Sequence, residues 1–357
     1  MIDFLVIGGG IAGLSAGARL SAHGRVTVLE AEDAIGYHAS GRSAALFEQS
    51  YGPPSVVALN KASAAYLHDE NGGYLTPRGI LLVGRKDQQA AFEADAAALN
   101  MRAISAADAI DRVPILDSDK LAYAAVSQST FDIDTDRLMQ DFVRTIRGNG
   151  GAVLTKARVT SIRKDKHWIV EAGDVYDARK LVNAAGPWVD EVAALAGIKP
   201  IGITPKRRSM ARLPAPGGHD IRGWPMLFGV GEAWYAKPDA GKLLVSPSEA
   251  EPVPPQDAYA DDLVLAEGLA RYEEMVIEPV TRVEANWAGL RSFAPDGTLV
   301  LGPDPADPSF IWSAGQGGYG FQTSPAASQL VADLATGMTP DLDTETTAAL
   351  SPERLRR

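Results

Sequence analysis

The first thirty residues constrain the fold more than any other part of the chain. Residues 2–7 are almost wholly apolar and read as a buried strand. Residues 11–22 form an Ala/Leu-rich helical segment stopped by Gly24, and residues 25–30 read as a second strand. Between the first strand and the helix lies Gly8-Gly9-Gly10-Ile11-Ala12-Gly13, a GxGxxG turn followed by Gly17. In such a turn the first glycine permits the tight bend, the second lets backbone approach a pyrophosphate, and the third brings helix against strand. The helix N-terminus then stabilises the phosphate charge. Glu30, ending the second strand, is placed to accept hydrogen bonds from a ribose. A GxGxxG string also arises by chance. Its place between strand and helix, with Glu30 behind it, selects a dinucleotide-binding unit over an unrelated glycine-rich turn, and with it a Rossmann-like α/β fold.

Composition narrows the function classes. At 357 residues the chain is long for one domain and ordinary for two interleaved ones, and 46% hydrophobic with 22% charged residues suits large buried cores. A net charge of -11 opposes nucleic-acid partners, and the only basic run is Lys206-Arg207-Arg208. With no cysteine there is no disulfide, thiolate nucleophile, Cys-bound metal or cysteinyl flavin link, and five scattered histidines give no expected metal site. No apolar run reaches the roughly 20 residues of a membrane span. The start of the chain lacks the basic and cleavage features of a signal peptide, so a cytoplasmic location is expected.

Farther along, residues 36–52 are turn-rich, and helices are expected over 55–68 and 88–99 with a strand at 79–83. Asp134-Thr135-Asp136 caps a helix running to Gly148. Strands are expected at 152–155, 158–162, 168–171 and 180–184, and Pro187 opens a helix ending near Gly197. Residues 200–290 read as longer strands joined by hairpin turns, at Pro238-Asp239-Ala240-Gly241 and, just beyond, Pro295-Asp296-Gly297. A strand at 310–314 leads to a glycine-rich turn and a helix from 324 to 334. From Thr339 the chain reads as a loose tail.

NAD and FAD both use the N-terminal unit. Two later turns bear on the choice: Asn183-Ala184-Ala185-Gly186-Pro187-Trp188, and Gly315-Gln316-Gly317-Gly318-Tyr319-Gly320-Phe321-Gln322. The second can aim amides and a helix dipole at a flavin ring, favouring its anionic reduced form. That permits FAD without requiring it.

The N-terminal unit, residues 36–45, the Asn183–Gly186 turn and the late glycine turn resemble the D-amino acid oxidase-type FAD oxidoreductases. Phe131-Asp132-Ile133-Asp134, Pro205-Lys206-Arg207-Arg208-Ser209, Tyr235-Ala236-Lys237-Pro238 and Trp287-Ala288-Gly289-Leu290-Arg291 bring the resemblance nearest to D-amino acid dehydrogenases of the D-arginine dehydrogenase kind. It implies non-covalent FAD held by residues 1–45, 135–200 and 290–357. An α+β substrate domain on a mixed sheet, residues 46–134 and 201–289, would be inserted between those pieces. Gly8, Gly10, Gly13, Glu30 and Gly186 would serve the cofactor. Ser43, Ala44 and Ala45 would line the flavin, and Val159, in its strand, would meet the adenine side through its backbone. Gly318 and Gln322 would touch substrate or flavin.

An α-amino acid needs its carboxylate clamped, and arginine's planar fork suits both oxygens. The resemblance puts Arg208 and Arg291 in that role, with Tyr235 as hydroxyl partner and Tyr51 on an active-site loop. Read from the residues alone, Arg208 could equally be a solvated strand edge, Tyr51 a core aromatic and Gln322 a helix-start polar residue. Two departures stand out. Thr76-Pro77-Arg78 is followed by Gly79-Ile80-Leu81, without the carboxylate that anchors a cationic side chain, and Leu46 replaces a histidine. Both point to an apolar pocket. Glu48 is expected to face solvent, and His38 to bond loop backbone rather than act as acid, base or flavin attachment point.

The implied reaction is oxidation of a D-amino acid with a neutral or apolar side chain to the imino acid, released as 2-keto acid and ammonia. A quinone, an electron-transfer protein or oxygen would accept the electrons, the first two allowing association with a membrane. A 2-hydroxy acid or secondary amine on the same clamp, a flavoprotein subunit, and a dinucleotide-binding protein without turnover stay open.

Overall fold

A computed structural model describes residues 1–356. Its first sheet runs in the order Ser161–Lys164, Trp168–Ala172, Asp174–Asn183, Ile2–Ile7, Val26–Leu29 and Ala152–Leu154, with Phe310–Ala314 parallel to the end of Asp174–Asn183. Ile2–Ile7 lies centrally, and its alternation sends Phe4 and Val6 into one apolar core and Leu5 and Ile7 into another. The helices Ile11–Leu20, Thr135–Gly148 and Gly320–Thr336 contribute to the first of these cores. Ile7 pairs with Asn183, and Asn183 with Trp312, so three parallel strands end side by side. The three glycine-bearing turns therefore open at one carboxyl edge, where α/β sheets bind ligands.

The second sheet runs Ala285–Phe293, Thr204–Leu213, Lys242–Ser246, Tyr235–Asp239, Met226–Gly229, Ile80–Gly84, Tyr123–Ser127 and Arg102–Ile104. Strict alternation divides its residues. Leu81, Ala211, Leu227, Ala236 and Val245 enter a core that also holds Leu265 and Tyr272, while Met210, Met226, Tyr235 and Leu244 cluster on the opposite face. A small sheet of Leu46–Phe47, Phe131–Ile133 and Leu75–Pro77 stands apart from both.

Several expectations fail for identifiable reasons. The strand expected at 158–162 is Ser161–Lys164, leaving Val159 in irregular chain. Pro295-Asp296-Gly297 is a turn but no hairpin, because the strands flanking it belong to different sheets. The helix Asp262–Glu273, capped by Asp261 on the Leu263 and Val264 amides, interrupts what reads as continuous strand. The helix expected from 324 begins at Gly320. Pro325 is tolerated in its second turn because the Phe321 carbonyl, denied an amide, accepts the Ser324 hydroxyl at 2.9 Å. The tail is not loose: Thr344–Leu350 is a helix capped by Asp343, Leu350 is fully buried, and Arg354 forks onto Asp296 at 2.6 and 3.1 Å.

Candidate active site

A cleft runs along the carboxyl edge of the first sheet and opens onto one face of the second. At its first end stand Gly8, Gly10, Glu30, Val159 and Gly186. A Cβ on Gly13 would lie 1.9 Å from the Gly8 carbonyl, so the turn closes only with glycine there. At Gly10 a Cβ would meet nothing but the Ser40 hydroxyl, at 3.2 Å, so its bareness keeps the cleft open. Glu30 is 8% exposed; its two oxygens accept the Gly9 and Glu32 amides at 2.8 and 2.9 Å, leaving a free lone pair on each. Ser40, overlooked in the sequence, accepts the Ile11 amide at 3.0 Å and caps a helix whose own N-cap has no side chain. Bare backbone at a helix N-terminus beside a carboxylate is a donor set for a pyrophosphate and a ribose, and it fits a dinucleotide.

His38 belongs to this end, away from the second-sheet face. Contrary to expectation it bonds no backbone among the described residues: its Nε2 lies 3.2 Å from Glu32 and its ring packs on Trp188. The cleft continues between Ser40, Ser43, Ala44 and Ala45 on one wall and Gly317, Gly318 and Gln322 on the other, with Arg208, Tyr235 and Arg291 also lining it.

Those three residues, Tyr51, Gly318 and Gln322 also line an adjoining cavity of about 390 Å³. Its floor is the second sheet. Pairing of Lys206 with Arg291, Phe228 with Tyr235 and Leu82 with Phe228 puts Arg291, Arg208, Tyr235, Phe228, Leu82 and Ile80 on one face, ordered from cationic to apolar. Leu46 and Ile80 both line it, together with the carboxylates of Glu48, Asp95 and Glu232, so the cavity is of mixed rather than wholly apolar character. Among the described residues neither arginine has a carboxylate within salt-bridge distance; Arg208 gives only its Nε, to the Glu249 carbonyl at 2.8 Å. Burial, and after it the charge of Arg291, lower the Arg208 pKa from the ordinary arginine value. Burial, then Glu232, push the Tyr51 phenol up to about 12.

Glu48 corrects another expectation. It is 5% exposed, lines the cavity, and accepts the Thr130 hydroxyl at 2.5 Å and the Ser50 amide at 3.2 Å. Gln322 accepts the Glu48 amide at 3.3 Å and so fastens the loop bearing Tyr51. Asp95 and Glu232, also unforeseen, line the same cavity, and Tyr51 reaches Glu232 at 3.4 Å. Their signals are absent from the sequence because they arrive on a separate helix and an isolated turn. The described residues contain no cluster suited to a metal, and no helix is long and apolar enough to cross a membrane.

A cleft for a dinucleotide that opens on a cavity with two unpaired arginines defines an oxidoreductase-like site. The sequence profile described as FAD dependent oxidoreductase matches residues 3–334, and the chain belongs to that family, with FAD as its cofactor. Glycine oxidase of Pseudomonas putida is 24% identical over 373 residues, covering 95% of this chain and 96% of that protein. L-2-hydroxyglutarate dehydrogenase of Escherichia coli is 26% identical over 219 residues, 56% of this chain, and the match spans 51% of that protein's length. The crystal structure of glycine oxidase from Geobacillus kaustophilus superposes with a TM-score of 0.81 at 20% identity, covering 97% of both chains. These likenesses support the family and the fold, and not the narrower kinship with D-arginine dehydrogenases.

Proposed function

We propose that the protein oxidises the Cα–N bond of a small α-amino acid, of D configuration and with a neutral or apolar side chain. Water then converts the imino acid to a 2-keto acid and ammonia. The observation that carries this reading is the pair of guanidiniums, Arg208 and Arg291, without acidic partners on the cavity floor. A half-buried cation without a counter-charge is costly, and a carboxylate from outside relieves that cost. In this proposal residues 1–45, 135–200 and 290–357 form the FAD-binding part and residues 46–134 and 201–289 the substrate-binding part, except that residues 290–293 complete a strand of the second sheet, which puts the last crossing at Pro295-Asp296-Gly297.

Bound FAD supplies the hydride acceptor. The chain's own residues bind and orient: Arg208 and Arg291 fork the carboxylate, and the Tyr235 hydroxyl completes the clamp. Leu46, Ile80, Leu82, Met226 and Phe228 receive the side chain and exclude water. Gln322 anchors the loop that carries Tyr51 along the cavity, through the Glu48 amide and the Tyr51 carbonyl. The same clamp would hold a 2-hydroxy acid. Glu48, Asp95 and Glu232 favour an amine, because they offer acceptors to an ammonium group and would repel the second carboxylate of 2-hydroxyglutarate.

The test is anaerobic bleaching of the holoprotein's flavin by D- and L-alanine, glycine, sarcosine, D-arginine and 2-hydroxyglutarate. Fast bleaching by D-alanine is expected. Bleaching by 2-hydroxyglutarate alone contradicts the amine reading, and bleaching by D-arginine above D-alanine contradicts the apolar pocket.

A further inference from the structure

Strand Thr204–Leu213 is paired along its length with Ala285–Phe293, but on its other side it meets Lys242–Ser246 only from Ala211 to Leu213. The partner peels away for local reasons. Pro247 has no amide to give, and Ser248 takes a left-handed φ of 56°. The helix Asp262–Glu273 braces this departure: a Cβ on Gly268 would lie 2.3 Å from Pro247, and Arg271 donates to the Pro247 carbonyl at 3.1 Å.

Peeling leaves Ser209, which is fully buried, without a backbone partner on that side, and side chains replace the ladder. The Ser209 carbonyl accepts the Ser246 hydroxyl at 2.8 Å, and its amide donates to Glu249 Oε1 at 2.5 Å. The chain rejoins at Glu249, whose carbonyl takes Arg208 Nε. One residue thus grips two consecutive positions of the strand. Its second oxygen, Glu249 Oε2, is buried with no partner among the described residues.

We propose that Glu249 is a positioning residue for Arg208, an assignment that rests on the carboxylate-clamp reading above. Its carbonyl holds Nε, which leaves both terminal guanidinium nitrogens for an incoming carboxylate. Its own carboxylate is committed to the Ser209 amide. It therefore supplies negative charge beside two like charges without forming the salt bridge that would block the clamp. The sequence Pro247-Ser248-Glu249 is what produces this geometry, since an unbroken ladder would have no place for Glu249 there.

The experiment titrates the FAD-loaded protein with propionate, a carboxylate with no Cα–N bond, and follows the flavin absorbance. E249A keeps the carbonyl that meets Arg208 Nε but releases its segment from the Ser209 amide, and is expected to weaken propionate about tenfold, the scale of that lost charge-assisted hydrogen bond. In an R208A background the same change is expected to cost less than about twofold, because residues acting through one another are not additive. Should E249A fail to fold, E249Q and E249D serve together, since the amide oxygen of the first still accepts from Ser209 while the charge is gone. Because E249Q keeps both contacts and removes only a charge that repels an anion, it is expected to bind propionate no more weakly than the native protein. E249D, which keeps the charge but draws the carboxylate back from the Ser209 amide, is expected to weaken propionate only when Arg208 is present. For E249A or E249D, an equal cost with and without Arg208, or no cost in either, overturns the assignment while leaving the clamp intact. No propionate binding by the unaltered protein overturns the clamp and this assignment together.

Discussion

Arg291 stands opposite Lys206 in the antiparallel pair of Thr204–Leu213 with Ala285–Phe293, and Arg208 lies two residues farther along the same face. Because side chains alternate across a strand, this register alone aims both guanidiniums into one cavity. Lys206 shares the face but turns to the Phe293 ring, 5.1 Å away, which leaves two arginines rather than three cations at the site.

That arrangement predicts a large effect at Arg291, for which no hydrogen-bond or salt-bridge partner occurs among the described residues. Arg291→Met should lower kcat/KM for the amino acid by about 100-fold, the scale for removing one partner of a buried, hydrogen-bonded charge pair. Flavin content should not change. Steady-state kinetics beside the flavin absorbance of the purified variant checks both.

At the cofactor end, Glu30→Gln replaces an acceptor that already takes the Gly9 and Glu32 amides. The amide nitrogen of glutamine must oppose one of those two donors. FAD affinity should fall about tenfold, with kcat on the saturated enzyme nearly unchanged. Fluorescence titration of the apoprotein with FAD measures it.

Tyr51 gives a pH signature. Its phenol ionises near 12 in the folded chain against about 10 when unfolded. The raised folded value means that its contribution to stability is fully present below pH 10 and is lost as pH rises toward 12. The difference in thermal midpoint between the native chain and Tyr51→Phe should shift in favour of the phenylalanine variant over that interval. A difference independent of pH from 8 to 12 would contradict the burial argument. Over the same range any basic limb in kcat below pH 10 should persist in Tyr51→Phe.

Arg354 spans Asp296, the Thr298 carbonyl and the Ser351 carbonyl, tying the C-terminal segment to the turn between the two sheets. Arg354→Ala should destabilise the protein by about 1–2 kcal/mol, more than an exposed pair because the guanidinium is mostly buried and bidentate. Chemical denaturation reads this directly.

The N-terminal unit was legible because strand, glycine turn, helix and acid fall within thirty residues, and each step follows a local rule. The floor of the cavity was legible only in part. Arg208, Arg291 and Tyr235 could be named, but their common face depends on pairings between strands distant in sequence. The burial of Glu48 was misread because its loop looks polar, and only the Thr130 hydroxyl, 82 residues away, explains a carboxylate there. Asp95 and Glu249 were invisible for the same reason. The tail reads as loose because apolar residues are sparse after Thr339, yet Asp343 is the cap of a helix there. The helix Asp262–Glu273 was lost among strands although Asp261 signals its start.

The central claim is that the two arginines recognise a substrate carboxylate. Its most direct test is the anaerobic rate of flavin reduction by an amino acid and by its amide, D-alanine against D-alaninamide, in the native chain and in Arg291→Met. The native protein is expected to be reduced by D-alanine at least about 100-fold faster than by the amide at low concentration, with that preference largely gone in the variant. Equal rates for acid and amide in the native protein, or a preference undiminished in Arg291→Met, would contradict it.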